Sequence, residues 1–332
     1  MLSNMLHMHP QVLSLSEFWT VFPTRDLPAT SMTGEEFWGM MAWPNPYADG
    51  FEVAGLPFDE YYYPYDRARF DPATGVPSIC RVLAALDDDP DALYDKLAGV
   101  VPSWPLRPAS GHCRALFDEL AAMFGRRLIV ERTGGVLGKI PSLRRRFPDA
   151  RFIFLHRDGP DCALSMMRHP AFRLESIRVL TDILSTPPLP ENLPEEIRAM
   201  DPRDLKEMIT PPFDGKRMQG LPIPLAFFGW QWSFYTRIGS RAIRDLWPDE
   251  WMTVRYERLL KDTRGELTRV ASFIGAPAEG QWLDNACNFV DPRRAGTAVA
   301  RLDQGELAML QAVCETGRRA FDLLESDQAV SA

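Results

Sequence analysis

The chain has 332 residues, 45% of them hydrophobic, with 37 Lys+Arg against 45 Asp+Glu for a formal net charge of −8. That is core enough for one large domain or two ordinary ones, and it excludes a nucleic-acid coat, because duplex binding rests on a dense basic footprint. Five scattered cysteines (Cys80, Cys113, Cys162, Cys287 and Cys314) form no Cys-x-x-Cys pair, which excludes a disulfide framework and a zinc ribbon and points to a reducing cytoplasm.

At the start, Leu2, Met5 and Leu6 already stand at helical spacing, as though the chain begins inside an element. No basic n-region and apolar h-region of a secretory signal is present, and no run approaches the roughly 18 apolar residues of a membrane span. His7 and His9 form a His-x-His with no third ligand in view, so no metal is assigned. Capping patterns predict helices from Thr33 to Glu36, at Asp89-Pro90, from Ser110 to about Gly125, from Thr263 to Glu266 and from Asp303 to Glu306. Apolar, β-branched or aromatic runs predict strands at Arg127–Glu131, Ala150–Leu155 and Trp251–Arg255. Together they point to a three-layer α/β/α fold with a central parallel sheet, in which ligands sit beyond the carboxyl ends of the strands.

Nine of the 29 prolines fall between Pro187 and Pro224. That stretch reads as a surface excursion or lid, spanning about 175–225 and broken by one short helix near Glu195 to Met208. The run Phe227-Phe-Gly-Trp-Gln-Trp-Ser-Phe-Tyr235 reads as a buried helix, with Trp230 and Phe234 sharing a core face. Gly134-Gly-Val-Leu-Gly-Lys139 imitates a phosphate-binding Gly-x-x-x-x-Gly-Lys-Ser/Thr loop, but only three residues separate Gly134 from Gly138 and Ile140 replaces the hydroxyl. It reads as a strand-to-helix turn.

The strongest local signal is Ala150-Arg-Phe-Ile-Phe-Leu-His-Arg157-Asp-Gly-Pro160, with Ser165 eight residues after Arg157. A strand ends, an arginine follows, and a proline-opened helix begins. Guanidinium, hydroxyl and helix N-terminus could serve one phosphate. By composition alone, an exposed arginine before an Asp N-cap is an equally open reading. His156 points to the opposite strand face from Arg157 and reads as structural.

The segment resembles the 3′-phosphate-binding motif of sulfotransferases, which move a sulfuryl group from 3′-phosphoadenosine 5′-phosphosulfate to a hydroxyl or amine. Arg157 and Ser165 fall on its positions, although Gly159-Pro160 replaces the usual Pro-Arg. Phe147-Pro-Asp-Ala150 resembles the family's lead-in. Val254-Arg-Tyr-Glu-Arg-Leu-Leu260 resembles its Tyr-Glu-Asp-Leu segment, which implies that Tyr256 lies by the adenine. Val130-Glu-Arg-Thr-Gly-Gly135 resembles its Glu-Lys-Thr-Pro segment, with Arg132 in place of the lysine that neutralises the moving group. Asp291-Pro-Arg-Arg-Ala-Gly296 resembles the late basic loop that closes on the phosphates, which implies roles for Arg293, Arg294 and Gly296. Glu17, about eight residues past His9-Pro10, matches the glutamate that takes the acceptor's proton; as a plain sequence feature it also reads as a helix-start residue before Phe18 and Trp19.

The family's opening strand and Pro-Arg-Ser-Gly-Thr-Thr-like loop, which cradle the 5′-phosphosulfate, have no counterpart before Met1. The resemblance therefore implies a single-domain, cytoplasmic, bacterial-type sulfotransferase with a P-loop-like fold, no metal and a small-molecule acceptor. Without the cradle, weak donor binding, little turnover and an uncovered strand edge are expected. The alternative is a non-catalytic homologue that binds nucleotide or a partner.

Overall fold

The computed structural model describes residues 1–22, 26–56, 60–189, 195–291 and 294–331. In chain order the strands are β1 (Val12–Ser16), β2 (Ser31–Met32), β3 (Arg107–Pro108), β4 (Leu128–Arg132), β5 (Phe152–His156) and β6 (Trp251–Arg255). β1 runs parallel to β4, with Ser16 opposite Arg132, and β5 runs parallel to β6, with His156 opposite Arg255. β2 and β3 form a short antiparallel pair. The expected α/β class and parallel pairing are present, but as two separate parallel pairs rather than one ladder. Burial follows from that division. Strand β1 is buried throughout, whereas every residue of its partner β4 is half-buried. Strand β4 therefore has less cover than is usual for a strand in a parallel sheet.

Strand alternation divides the core between layers. Leu13 and Leu15 of β1 join Phe18, Phe37, Leu97 and Leu116 in one cluster. Val12 faces the other way, toward Met5, Leu6 and Trp282, where Ile153, Met252 and Val254 of the second pair also pack. Helix Leu2–His7 is thus a buried element of that layer, tied to β1 by Ser14 Oγ donating to the Ser3 carbonyl at 3.0 Å. Behind the second pair, Phe154 and Trp251 meet Ile243, Phe321 and Leu324.

The predicted caps mostly act as expected. Thr33 and Glu36 form a reciprocal capping box, Asp89 caps a helix opened by Pro90, and Glu306 N–H donates to Asp303. Asp262, not Thr263, caps helix Thr263–Ile274, and helix Ala109–Met123 starts after Pro108 without a side-chain cap, so Ser110 lies inside it. Gly134–Lys139 is a strand-to-helix turn, with Gly135 at φ 75° and helix Ile140–Arg146 after it.

Three expectations are corrected. Val12–Ser16 is a strand, which places Glu17 at a strand end. The described part of the proline-rich segment holds three short helices, Glu195–Arg198, Pro202–Met208 and Gly215–Gly220, not one. They bury Ile197, Leu205, Met208 and Met218 against helices Pro170–Ser185 and Leu225–Arg244, so this is a packed cap with its own core. Trp230 and Phe234 each keep 43% of their exposure and are not core. Gly229, Trp232 and Ser233 supply the buried face instead, against helix Gln304–Ser331.

Candidate active site

The carboxyl end of each strand pair carries one cluster of the predicted residues. At the first pair, Glu17 leaves β1 with φ 59° and ψ 26°, the one non-glycine residue of positive φ among the described residues. That conformation costs roughly 1–3 kcal/mol and persists only where neighbours fix it. They do: Glu17 N–H donates to the Arg132 carbonyl at 2.7 Å, Phe18 N–H to Glu131 at 3.1 Å and Trp19 N–H to Thr133 Oγ1 at 3.2 Å.

The left-handed turn folds the Glu17 carboxylate back over the end of β4. Its Oε1 is ion-paired with Arg132 Nη1 and accepts the Gly134 N–H at 3.3 Å. The Glu17 side chain is 12% exposed and that of Arg132 40%, so the carboxylate is sheltered while the guanidinium reaches solvent. Beside them, burial pushes the Glu131 carboxyl up to about 8, against the hydrogen bond from Thr133 and with the Glu17 charge pushing the same way.

At the second pair, Arg157 and Tyr256 follow adjacent strand ends, and the guanidinium lies over the Tyr256 ring, 5.0 Å from its centroid. Arg157 Nη2 donates to the Arg294 carbonyl at 3.2 Å, while its Nε is buried with no hydrogen-bond partner among the described residues. Gly296, at φ 71°, gives its N–H to Asp161 at 2.7 Å; Ala298 N–H and Thr297 Oγ1 donate to the same carboxylate at 2.7 and 3.1 Å. Asp161 thus fastens the late basic loop to helix Gly159–Met166. Arg293 lies outside the described residues.

Ser165 is exposed on that helix, and no hydrogen bond joins it to Arg157. The helix N-terminus is not open to an anion as the sequence suggests. Asp158 caps the Asp161 N–H at 3.2 Å, and Glu257 accepts the Asp158 N–H at 2.8 Å, so carboxylates satisfy those donors. Burial raises the pKa of Asp158. The Gly159-Pro160 departure from the family pattern has a packing cause. A Cβ on Gly159 would lie 2.8 Å from Cys314 and from Trp232, so only glycine fits.

The Met1 amine loses proton affinity first through burial and then through the charges of Arg132 and Arg294, one from each cluster. Glu60 feels the charge of the first cluster as well. It is bonded to His169 Nε2 at 3.1 Å, which first of all holds its carboxyl below the ordinary range, with Arg132 adding a smaller pull. His169 Nδ1 accepts the Ala171 N–H at 3.2 Å, which fixes the tautomer that donates to Glu60.

Sequence reasoning missed Glu60, His169 and Asp161. The first two are 109 positions apart and carry no local pattern; Asp161 had one, since Asp158 and Asp161 stand at i, i+3. His9 is structural, with Nε2 on the Pro277 carbonyl at 2.9 Å and Nδ1 accepting the Gln11 N–H at 3.1 Å. His156 is buried and stacked 3.7 Å from the Phe321 ring, with burial pushing its pKa down to about 3.

A family model described as the sulfotransferase family matches residues 1–187. No curated protein sequence matches the chain at a significant level. Among solved structures, the chain is similar to a sulfotransferase domain from the curacin biosynthetic pathway, at TM-score 0.44 and 13% identity, covering 94% of this chain and 91% of that one. It is also similar to a sulfotransferase domain of the Synechococcus PCC 7002 olefin synthase, at TM-score 0.43 and 17% identity, covering 95% and 89%. At those scores, the family match and this chain's own residues are what bear on function.

Proposed function

The chain belongs to the sulfotransferase family, and from that premise we propose that it moves a sulfuryl group from 3′-phosphoadenosine 5′-phosphosulfate to a hydroxyl or amine of a small-molecule acceptor. The observation that carries the donor assignment is the buried, unpartnered Nε of Arg157 beside the Tyr256 ring. A buried guanidinium N–H without an acceptor is costly, and a phosphate oxygen would satisfy it. Arg157 would hold the 3′-phosphate together with Ser165, and Tyr256 would lie by the adenine. Arg294, with Arg293, would add charge from the late loop, whose shape Gly296 sets through Asp161.

In the transfer, the acceptor oxygen attacks sulfur in line, and its new bond to sulfur forms as the bond to the bridging phosphate oxygen breaks. 3′-Phosphoadenosine 5′-phosphate departs with that electron pair. Glu17 takes the acceptor's proton, and Arg132 stabilises charge on the sulfuryl oxygens. Because Arg132 is ion-paired to Glu17 in this structure, the incoming sulfuryl group would draw the guanidinium away and leave the carboxylate available for the proton. Positioning and electrostatics carry most of such a reaction, as in phosphoryl transfer.

Isothermal titration of the protein with 3′-phosphoadenosine 5′-phosphate tests this reading. The expected result is saturable one-to-one binding. Absence of heat at millimolar nucleotide would count against donor and transfer alike.

A further inference from the structure

The aromatic row on helix Leu225–Arg244, half-buried at Phe227 and exposed at Trp230 and Phe234, belongs to neither cluster described above. Phe227 and Trp230 have ring centroids 5.5 Å apart, and Trp230 stacks on Phe234 at 5.6 Å and 18°. Two rings of that size, each 43% exposed, are an unusual thing for one helix to show water. The row continues C-terminally into exposed Arg237 and Arg241, neither of which has a hydrogen bond or ion pair among the described residues. Positions 227, 230, 234, 237 and 241 follow alternating steps of three and four, the spacing of the seam that one helix offers another in a coiled coil.

The opposite face is already occupied. Gly229 packs on Leu310, and Ser233 meets Thr316 at 2.8 Å on helix Gln304–Ser331. Tyr235, on the flank, donates to Glu175 at 3.1 Å, and Arg178 pairs with that same carboxylate at 3.2 Å. Glu175 is therefore already engaged by Tyr235 and Arg178.

We infer that this seam is a docking surface for an acidic amphipathic helix of a partner protein. The aromatic half would bury the partner's apolar stripe, and Arg237 and Arg241 would pair with its carboxylates. Charge complementarity selects that occupant. Two exposed arginines in line with apolar rings attract a carboxylate-bearing partner, and their alternating steps of three and four fit the face of a single helix.

The test uses the full chain and two fluorescent synthetic helices, one with leucine on one face and glutamate on the other, the second with lysine for glutamate. Fluorescence anisotropy should show the acidic helix binding and the basic one not. Both Trp230→Ala/Phe234→Ala and Arg237→Glu/Arg241→Glu should weaken binding by about tenfold or more, with unchanged binding of 3′-phosphoadenosine 5′-phosphate in each variant. The charge-reversal pair leaves every ring in place, so it tests the surface even if the aromatic pair unfolds the helix.

Equal binding of both peptides, no binding of the acidic one, or indifference to the charge reversal would overturn the assignment. So would phosphatidylglycerol vesicle binding, or a sedimenting dimer, that the same substitutions abolish, because either would make a membrane or a second copy the occupant.

Discussion

The two strand pairs place an arginine at a carboxyl end and a titratable residue just before it, yet they do so with opposite electrostatics. In the first pair Glu131 precedes Arg132, and burial pushes its carboxyl up to about 8. In the second pair His156 precedes Arg157, and burial pushes its imidazole down to about 3. Strand alternation is the common cause: the residue before each arginine points to the opposite face of its strand, where burial acts on it. The arginines also differ. Arg132 is paired with a carboxylate of its own site, whereas Arg157 lies on an aromatic ring with a buried N–H unanswered among the described residues. Under the proposed function, the first pair supplies the acid–base and charge-stabilising groups, and the second the anion-binding groups.

That division is broken most severely by substitutions in the first half. Glu17→Gln should lower turnover by about 10²–10⁴-fold, the usual contribution of a positioned base. Arg132→Ala should lower it by about 10²–10³-fold, as for loss of a charge-stabilising donor. Both are read as release of 3′-phosphoadenosine 5′-phosphate from the donor under saturating acceptor. Turnover within threefold of the parent in either variant would remove that residue from the transfer step.

A smaller effect concerns stability against pH, and its sign differs between the halves. Glu131 binds its proton more tightly when folded, so between the ordinary carboxylate value of 4.5 and about 8 the folded state holds more protons and stability falls as pH rises. His156 binds its proton less tightly when folded, so stability is full above 6.5 and falls as pH drops toward about 3. Each slope is bounded at about 1.4 kcal/mol per pH unit. Urea titrations should therefore show Glu131→Gln flattening the fall with rising pH up to about 8 and His156→Phe flattening the fall with dropping pH below 6.5. A pH profile that neither substitution alters would mean that other groups govern it.

Much of this was legible in the sequence because it was local. The strand–arginine–proline signature placed Arg157 at the end of β5, and the Tyr-Glu segment singled out Tyr256, which the structure brings beside it. Even the Gly159 departure was visible, although its cause, the close approach of Cys314 and Trp232, lies more than 70 positions away. What stayed hidden depended on partners remote in sequence. Val12–Ser16 alternates as a strand does, but only its pairing with β4 makes it one.

Trp230 and Phe234 looked like core because aromatic density does not reveal which face of a helix a neighbour covers. Here Gly229 and Ser233 let the C-terminal helix approach on the other side. The proline-rich segment looked like a loop because proline removes regular hydrogen bonds, yet its short helices bury Leu205 and Met218 in a core of their own. Glu60 and His169 meet only through tertiary folding.

The division of labour between the halves is tested most directly by titrating 3′-phosphoadenosine 5′-phosphate into Arg157→Ala and Glu17→Gln in parallel. Loss of a charge-assisted phosphate contact should weaken binding in Arg157→Ala by about 1.5–3 kcal/mol, roughly ten- to 150-fold, while Glu17→Gln binds within threefold of the parent. Unchanged affinity in Arg157→Ala, or an equal loss in both variants, would contradict it.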